Sequence, residues 1–180
     1  MTHDPYPENR EWAIKQIREC IGNDFVIVST RQSLTLLRVR EPYETWSKLK
    51  KCLLDLETPI HRIVPVDEVV DPLVKKVAER AKVLANERIP ENATYRITLH
   101  GHLYDVDERG RLTQIHTIDA IRVIAQGIPR KVNLSNPEWV VYIRIVPVRR
   151  WFVVATLSVA RAFVFKNVRI REFGDPLRPG

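Results

Sequence analysis

Cysteine is scarce in this chain: Cys20 and Cys52 are the only two in 180 residues, and neither belongs to a CxxC or stands near a histidine pair at zinc-finger spacing. A disulfide scaffold and a structural zinc module are therefore not indicated, and both cysteines are expected to serve as small buried hydrophobes. Long apolar runs are missing too. No window approaches the run of about 18 apolar residues that a membrane span needs, and the opening MTHDPYPENREW has no signal-peptide core. A soluble, cytoplasmic protein with no membrane partner is expected. Internal repeats and low-complexity tracts do not occur, and neither do GxGxxG, a Walker loop, GxSxG or HExxH. With those signatures gone, most familiar nucleotide-binding and hydrolytic chemistries have no foothold.

What is present is an ordinary globular balance, with 44% hydrophobic and 28% charged residues, in a length that suits one medium domain or two small ones. The charge is unevenly placed. Lys and Arg outnumber Asp and Glu by 29 to 22, yet residues 1–143 are almost balanced, and the excess falls in residues 144–180, where eight bases face only Glu172 and Asp175. Seven of the eight are arginine, whose planar guanidinium binds phosphate bidentately and stacks on bases, so nucleic acid is a better-matched partner than a membrane surface.

Periodicity divides the chain in two. In NREWAIKQIRECIG, Ala13, Ile17, Cys20 and Ile21 recur at helical spacing, with Asn9 as a candidate cap and Gly22 as the stop. Phe25–Val28 and Leu34–Val39 read as a hairpin, Trp46, Leu49, Leu53 and Leu56 as a second helix, and IHRIVPV as a short strand. A new pattern starts near Asp67. Asp71-Pro72 looks like a helix opening for the stripe Leu73, Val77, Ala81 and Leu84, and ATYRITLHGHLYD is a strand sending Tyr95, Ile97 and Leu99 to one side. Arg96, Thr98, His100 and His102 fall on the other side. VDERGR is a loop or hairpin tip, and Ile118, Ile121, Ala125 and Ile128 mark another helix. WVVYIRIVPV and WFVVATLSV then close the chain as long strands, the first presenting Trp139, Val141, Ile143 and Ile145 on one face and the second Trp151, Val153, Ala155 and Leu157. Being apolar on both faces, they suit a covered sheet or a subunit contact in a homodimer.

The run from VDPLVKKVAERAKVLANERI through ATYRITLHG, IHTIDAIRVIAQGI and KVNLSNPEWVV to ATLSV resembles the THUMP domain of tRNA-modifying proteins over about residues 67–165. KVNLSNPEWVVYIRI carries most of the likeness, being similar to a "K-V-D-L-x-N-P-D" motif followed by an alternating strand. The resemblance implies a mixed α/β (α+β) chain: a ferredoxin-like N-terminal domain at residues 1–66, its first strand apparently missing because MTHDPYPENR is short and polar, then a THUMP domain at 67–180 with a basic C-terminal segment. By size and motif the chain looks most like the archaeal relatives of the tRNA acetylation adaptor. That implies a non-catalytic protein, without a cofactor, which holds the acceptor stem and single-stranded 3′ end of tRNA for a separate cytidine acetyltransferase forming N4-acetylcytidine.

Under that reading Lys131, Asn133, Asn136 and Pro137 occupy the family's loop. Arg96, His100, His102, Arg130, Lys131, Asn133, Arg149 and Arg150 are the candidate RNA contacts, and Tyr104 or Phe152 the candidate aromatics for base stacking. The competing expectations are a small metal-dependent enzyme built on His100, His102 and His116 with Asp105, and a structural dimerisation module.

Overall fold

The computed structural model describes residues 1–180, which form two compact units. One comprises residues 1–65, 148–150 and 163–174, the other residues 66–147, 151–162 and 175–180. The second unit thus starts where the sequence pattern restarts, while part of the basic C-terminal segment belongs with the first.

The first unit is a complete ferredoxin-like arrangement: β1 (Thr2–His3), α1 (Pro7–Ile21), β2 (Val26–Arg31), β3 (Leu34–Arg38), α2 (Pro42–Leu53) and β4 (Ile60–Arg62), with sheet order β2-β3-β1-β4. The expectation of a missing first strand is corrected here. Thr2 lies opposite Leu34 on one side and Arg62 on the other, and His3 opposite Ile60, so two residues suffice because β3 and β4 sandwich them. His3 is fully buried, its ring within hydrogen-bond distance of the Thr35 hydroxyl and the Asp4 carbonyl, which is how so polar a segment enters a sheet. Ala13 and Ile17 from α1 meet Leu49 and Leu53 from α2 over Ile60, with Val168 completing the cluster. Gly22, at φ 71°, ends α1 as expected, its N–H donating to the Arg18 carbonyl. The start is not as expected: α1 begins at Pro7, and Asn9 caps nothing but donates to the Pro5 carbonyl.

Cys20 and Cys52 form a disulfide that ties the last turn of α1 to the last turn of α2. They are not the buried hydrophobes expected from the sequence, since Cys52 is exposed. Residues 163–174 are strapped on by Lys50. Only 4% exposed, its ammonium donates to the carbonyls of Asn167 (3.2 Å), Val168 (2.8 Å) and Ile170, and burial pushes its pKa below the ordinary lysine value.

In the second unit a five-stranded sheet is ordered β5 (Glu68–Val70), β11 (Phe152–Arg161), β10 (Trp139–Arg149), β6 (Thr94–His100), β9 (Lys131–Val132). α3 (Val74–Arg88) and α4 (Thr117–Ala125) supply Val77, Ala81, Leu84, Ala120 and Ile124 to a core with Tyr95, Ile97, Trp139, Val141, Ile143, Ala155, Leu157 and Val159. These are the strand positions that alternation assigns to the inner face. Burial of one such Val, Leu or Ile side chain contributes about 1.5–3 kcal/mol. α4 is rotated from its expected phase, with Ile118 exposed and Ala120 buried. α3 begins at Val74, and Asp71 pairs with Lys76 instead of capping the helix. β5 has no forerunner in the sequence reading. It pairs antiparallel with β11, and next to it the Asp67 carboxylate accepts from Arg88 (2.7 Å) and from the Val159 N–H (2.8 Å).

β10 and β11 are both buried on the second face as well, where Val140, Tyr142, Val154, Thr156 and Ser158 lie. β10 is flanked by β6 over Trp139–Arg144 and β11 by β5 over Ala155–Leu157, so along those stretches neither offers an edge for the two-fold pairing that their apolar character suggested. A separate hairpin, β7 (Tyr104–Val106) and β8 (Leu112–Gln114), carries the VDERGR turn, closed by Asp107 accepting from the N–H groups of Arg109 and Arg111 and from the Arg111 side chain. Those bonds hold the Asp107 carboxyl below its ordinary pKa, the backbone N–H of Arg111 foremost.

Candidate nucleic-acid interface

The sequence-derived candidates do not converge on one place. β9 pairs in parallel with the start of β6, Lys131 opposite Thr94, and the start of β10 lies beside it, Trp139 opposite Tyr95. Lys131 therefore stands at one end of the sheet. Arg149 stands at the other, because β10 runs on for 11 residues and its far end is roughly 33 Å away at about 3.3 Å per residue. His100 lies between, level with Arg144.

At the β9 end, the loop after Val132 is built by its own polar groups. Asn133 accepts at Oδ1 from the N–H groups of Ser135 (3.2 Å) and Asn136 (3.0 Å), while its own N–H donates to the Tyr95 carbonyl (2.8 Å). Asn is suited to this because its short side chain mimics a backbone turn. Arg96 donates from Nη1 to the Leu134 carbonyl (3.0 Å), and Arg130 donates from Nε to Ile89 (2.9 Å) and from Nη1 to Pro129 (3.3 Å). Asn133 and Arg96 are thus occupied in holding the loop, and Arg130 in bonds to the backbone ahead of β9. Lys131 is exposed and has no hydrogen-bond or ion-pair partner, with Val132 and Leu134 exposed beside it.

The expected polar stripe is shorter than the sequence suggested. Arg96, Thr98 and His100 share a face, but the strand ends at His100, and Gly101 at φ 92° turns the chain before His102. That glycine is required, since an added Cβ would meet Ile145 at 2.8 Å. His100 packs its ring 5.2 Å from that of Tyr142, whose hydroxyl accepts from Arg144 Nε at 3.3 Å. The metal-site expectation fails on geometry. No three His, Cys, Asp or Glu side chains gather closely enough to hold an ion, so His100, His102 and His116 do not form one. Asp105 instead accepts from the Val106 N–H and pairs with Lys75 at 3.7 Å.

The C-terminal arginine excess is also largely spent inside the structure. Lys166 pairs with Glu172 (2.7 Å), Arg171 with Asp55 and Arg178 with Asp175 (3.3 Å), while Arg169 donates to the Thr58 carbonyl (2.9 Å). Arg161 donates to the Arg178 carbonyl (3.0 Å) and lies over the Trp139 ring. Arg149 and Arg150, at the turn between β10 and β11, are exposed.

That turn holds the aromatic the sequence reading misplaced. Alternation puts Trp151 on the inner face of the last strand, yet β11 begins only at Phe152, and Trp151 is 89% exposed in the turn. Phe152 is 53% exposed, whereas Tyr104 is half-buried in β7. The signal available was the Arg149-Arg150 pair immediately before Trp151, which favours a turn over a strand interior.

No family model matches the chain, and no curated protein matches it. Solved structures do. PH1313 from Pyrococcus horikoshii aligns with a TM-score of 0.60 at 13% identity over 89% of this chain and 51% of its own. A 4-thiouridine synthetase, in a complex with RNA and bound ATP, aligns with a TM-score of 0.53 at 13% identity over 89% of this chain and 41% of its own. The chain thus spans about half the length of the structures it matches, and at that identity the fold is what they share. With the topology above, that fold is a ferredoxin-like domain followed by a THUMP-like domain.

Proposed function

We propose that this chain binds tRNA and serves tRNA base modification as a non-catalytic adaptor, presenting tRNA in the cytoplasm to a separate cytidine acetyltransferase that forms N4-acetylcytidine. The observation that carries the reading is the likeness of both units together to a 4-thiouridine synthetase captured with RNA, over 89% of this chain. The KVNLSNPE loop supports it, because Asn133 and Arg96 fix its backbone and leave Lys131 exposed for a phosphate. The adaptor role rests on the resemblance to the acetylation adaptor's archaeal relatives. It is supported by the commitment of Arg96, Arg130 and Asn133 to structural hydrogen bonds.

The test has two arms. Binding to tRNA should weaken steeply with salt as phosphates are neutralised and counterions released, and tRNA lacking its single-stranded 3′ end should bind more weakly than intact tRNA. With acetyl coenzyme A and tRNA, the chain alone should give no acetylcytidine, while adding it to a separate acetyltransferase should raise the yield. Salt-independent binding overturns the tRNA reading, and turnover by the chain alone overturns the adaptor reading.

A further inference from the structure

At six residues, β2 is the longest strand at a sheet edge in the molecule, where no other edge strand exceeds three. It pairs with β3 on one side, and its outer edge presents backbone N–H and C=O groups to which no strand is paired. Such an edge is ordinarily blunted by a lysine, a proline or an inward-pointing charge, and Phe25–Thr30 contains none. The register of β2 on β3 slips between Ile27 and Ser29, with Val28 as the extra residue, and Val26 (51% exposed), Ile27 (43%) and Val28 (40%) all reach solvent. Regular alternation would turn at least one of three consecutive side chains toward the core. The bulge sends a third apolar side chain outward in place of a charge, so it enlarges the apolar edge instead of guarding it.

Charge selects the occupant. Asp24 stands before the apolar run and Arg31 after it, and both are exposed. The field of Asp24 reaches Lys48, but Lys48 is bridged to Glu44 at 2.7 Å. A strand that begins on an anion and ends on a cation is self-complementary when a second copy runs antiparallel to it. Across a two-fold axis each Asp24 approaches the Arg31 of the other copy, and the apolar residues meet between them. A parallel copy would set like charge against like.

We propose that the outer edge of β2 is a homodimerisation edge, on which a second copy of this chain adds its own β2 antiparallel, joining the two four-stranded sheets edge to edge. The proposal goes beyond the tRNA reading and does not rest on it. An interface of one strand a side is at the small end for proteins, so the dimer forms reversibly as protein concentration rises.

Sedimentation equilibrium of the full chain over a range of concentrations reads the association, and hydrogen exchange at low and high concentration locates it. A monomer–dimer equilibrium is expected, with amide exchange in β2 slowed at high concentration and exchange in β5 and β9 unchanged. Asp24→Arg should weaken association about tenfold, because the two-fold removes two ion pairs at once, and Arg31→Asp should do the same. The double swap Asp24→Arg/Arg31→Asp should restore it. Val28→Lys should abolish association, and circular dichroism should show all the variants folded, because the positions are exposed. If Val28→Lys fails to fold, the charge swap decides alone. A chain that stays monomeric at every concentration overturns the proposal and leaves the edge to a strand of a different protein. A dimer whose slowed amides lie outside β2, one that Asp24→Arg leaves undiminished, or one that the double swap fails to restore overturns it as well.

Discussion

Arg96 Nη1 donates to the backbone carbonyl of Leu134 at 3.0 Å, so the guanidinium that alternation assigns to an open RNA-facing stripe anchors the neighbouring loop instead. The loop has a second internal anchor in Asn133, which accepts two N–H groups. Arg96→Met keeps the aliphatic stem and deletes the donor, and Asn133→Ala deletes the acceptor. Each should cost about 1–2 kcal/mol in denaturant unfolding. Each should also accelerate hydrogen exchange at Ser135 and Asn136 and weaken tRNA binding through disorder around Lys131. Unchanged exchange at those amides with weakened binding would return Arg96 to a direct RNA contact.

The Cys20–Cys52 disulfide closes a loop of sequence separation 32, for which chain entropy assigns about 3–4 kcal/mol. Reduction, or Cys52→Ser, should lower the stability of the first unit by up to that amount, with little effect on amides of the five-stranded sheet. The measurement is thermal unfolding with and without reductant, with hydrogen exchange to locate the loss. A uniform loss across both units would mean that they unfold as one body.

The disulfide also shows where sequence reading runs out. Periodicity along one strand or helix is local, and it placed Tyr95, Ile97, Trp139, Val141 and Ile143 on the inner face correctly, because burial on a pleated sheet repeats every second residue. The pairing of Cys20 with Cys52 depends instead on how α1 and α2 pack. The strand at Thr2–His3 exists because β3 and β4 lie on either side of it, and the burial of Lys50 depends on carbonyls more than a hundred residues away. None of these has a local signature. Trp151 and His102 failed for a different reason. Alternation was carried through a turn in one case and past Gly101 in the other, and a period has no meaning once the strand has ended. The basic C-terminal segment misled because composition counts charges without their partners, and Lys166, Arg169 and Arg171 have partners.

β5 is held at the sheet edge partly by Glu68, which accepts from Arg80 Nε (2.7 Å) and Nη2 (2.6 Å). The Arg80 hydrogen bonds hold the Glu68 carboxyl below the ordinary glutamate range, against a desolvation effect in the opposite direction. A carboxyl with a depressed folded-state pKa stabilises the fold fully above its unfolded pKa, and that contribution is lost as pH falls through the folded value. Acid should therefore loosen β5, and Glu68→Gln should flatten the stability-versus-pH curve below about pH 4.5 while costing at most ~1 kcal/mol at neutral pH, as for other part-exposed pairs. Equal acid sensitivity in the variant would assign the effect to another carboxylate.

Lys131 and Arg149 are far enough apart to act independently on a bound RNA, since energetic coupling between sites without shared partners fades beyond about 7–10 Å. Charge reversal at either should weaken tRNA binding across tRNA species and reduce the salt slope by about 1, as loss of one phosphate contact does. The double variant Lys131→Glu/Arg149→Glu should reduce the slope by about 2, with binding losses that add to within about 0.3–0.5 kcal/mol. Salt titrations of the four proteins against one tRNA read both quantities at once. Additive losses place RNA at both ends of the sheet. If Arg149→Glu is neutral while Lys131→Glu accounts for the whole effect, RNA is confined to the β9 end, and the turn at Arg149 has no part in holding tRNA.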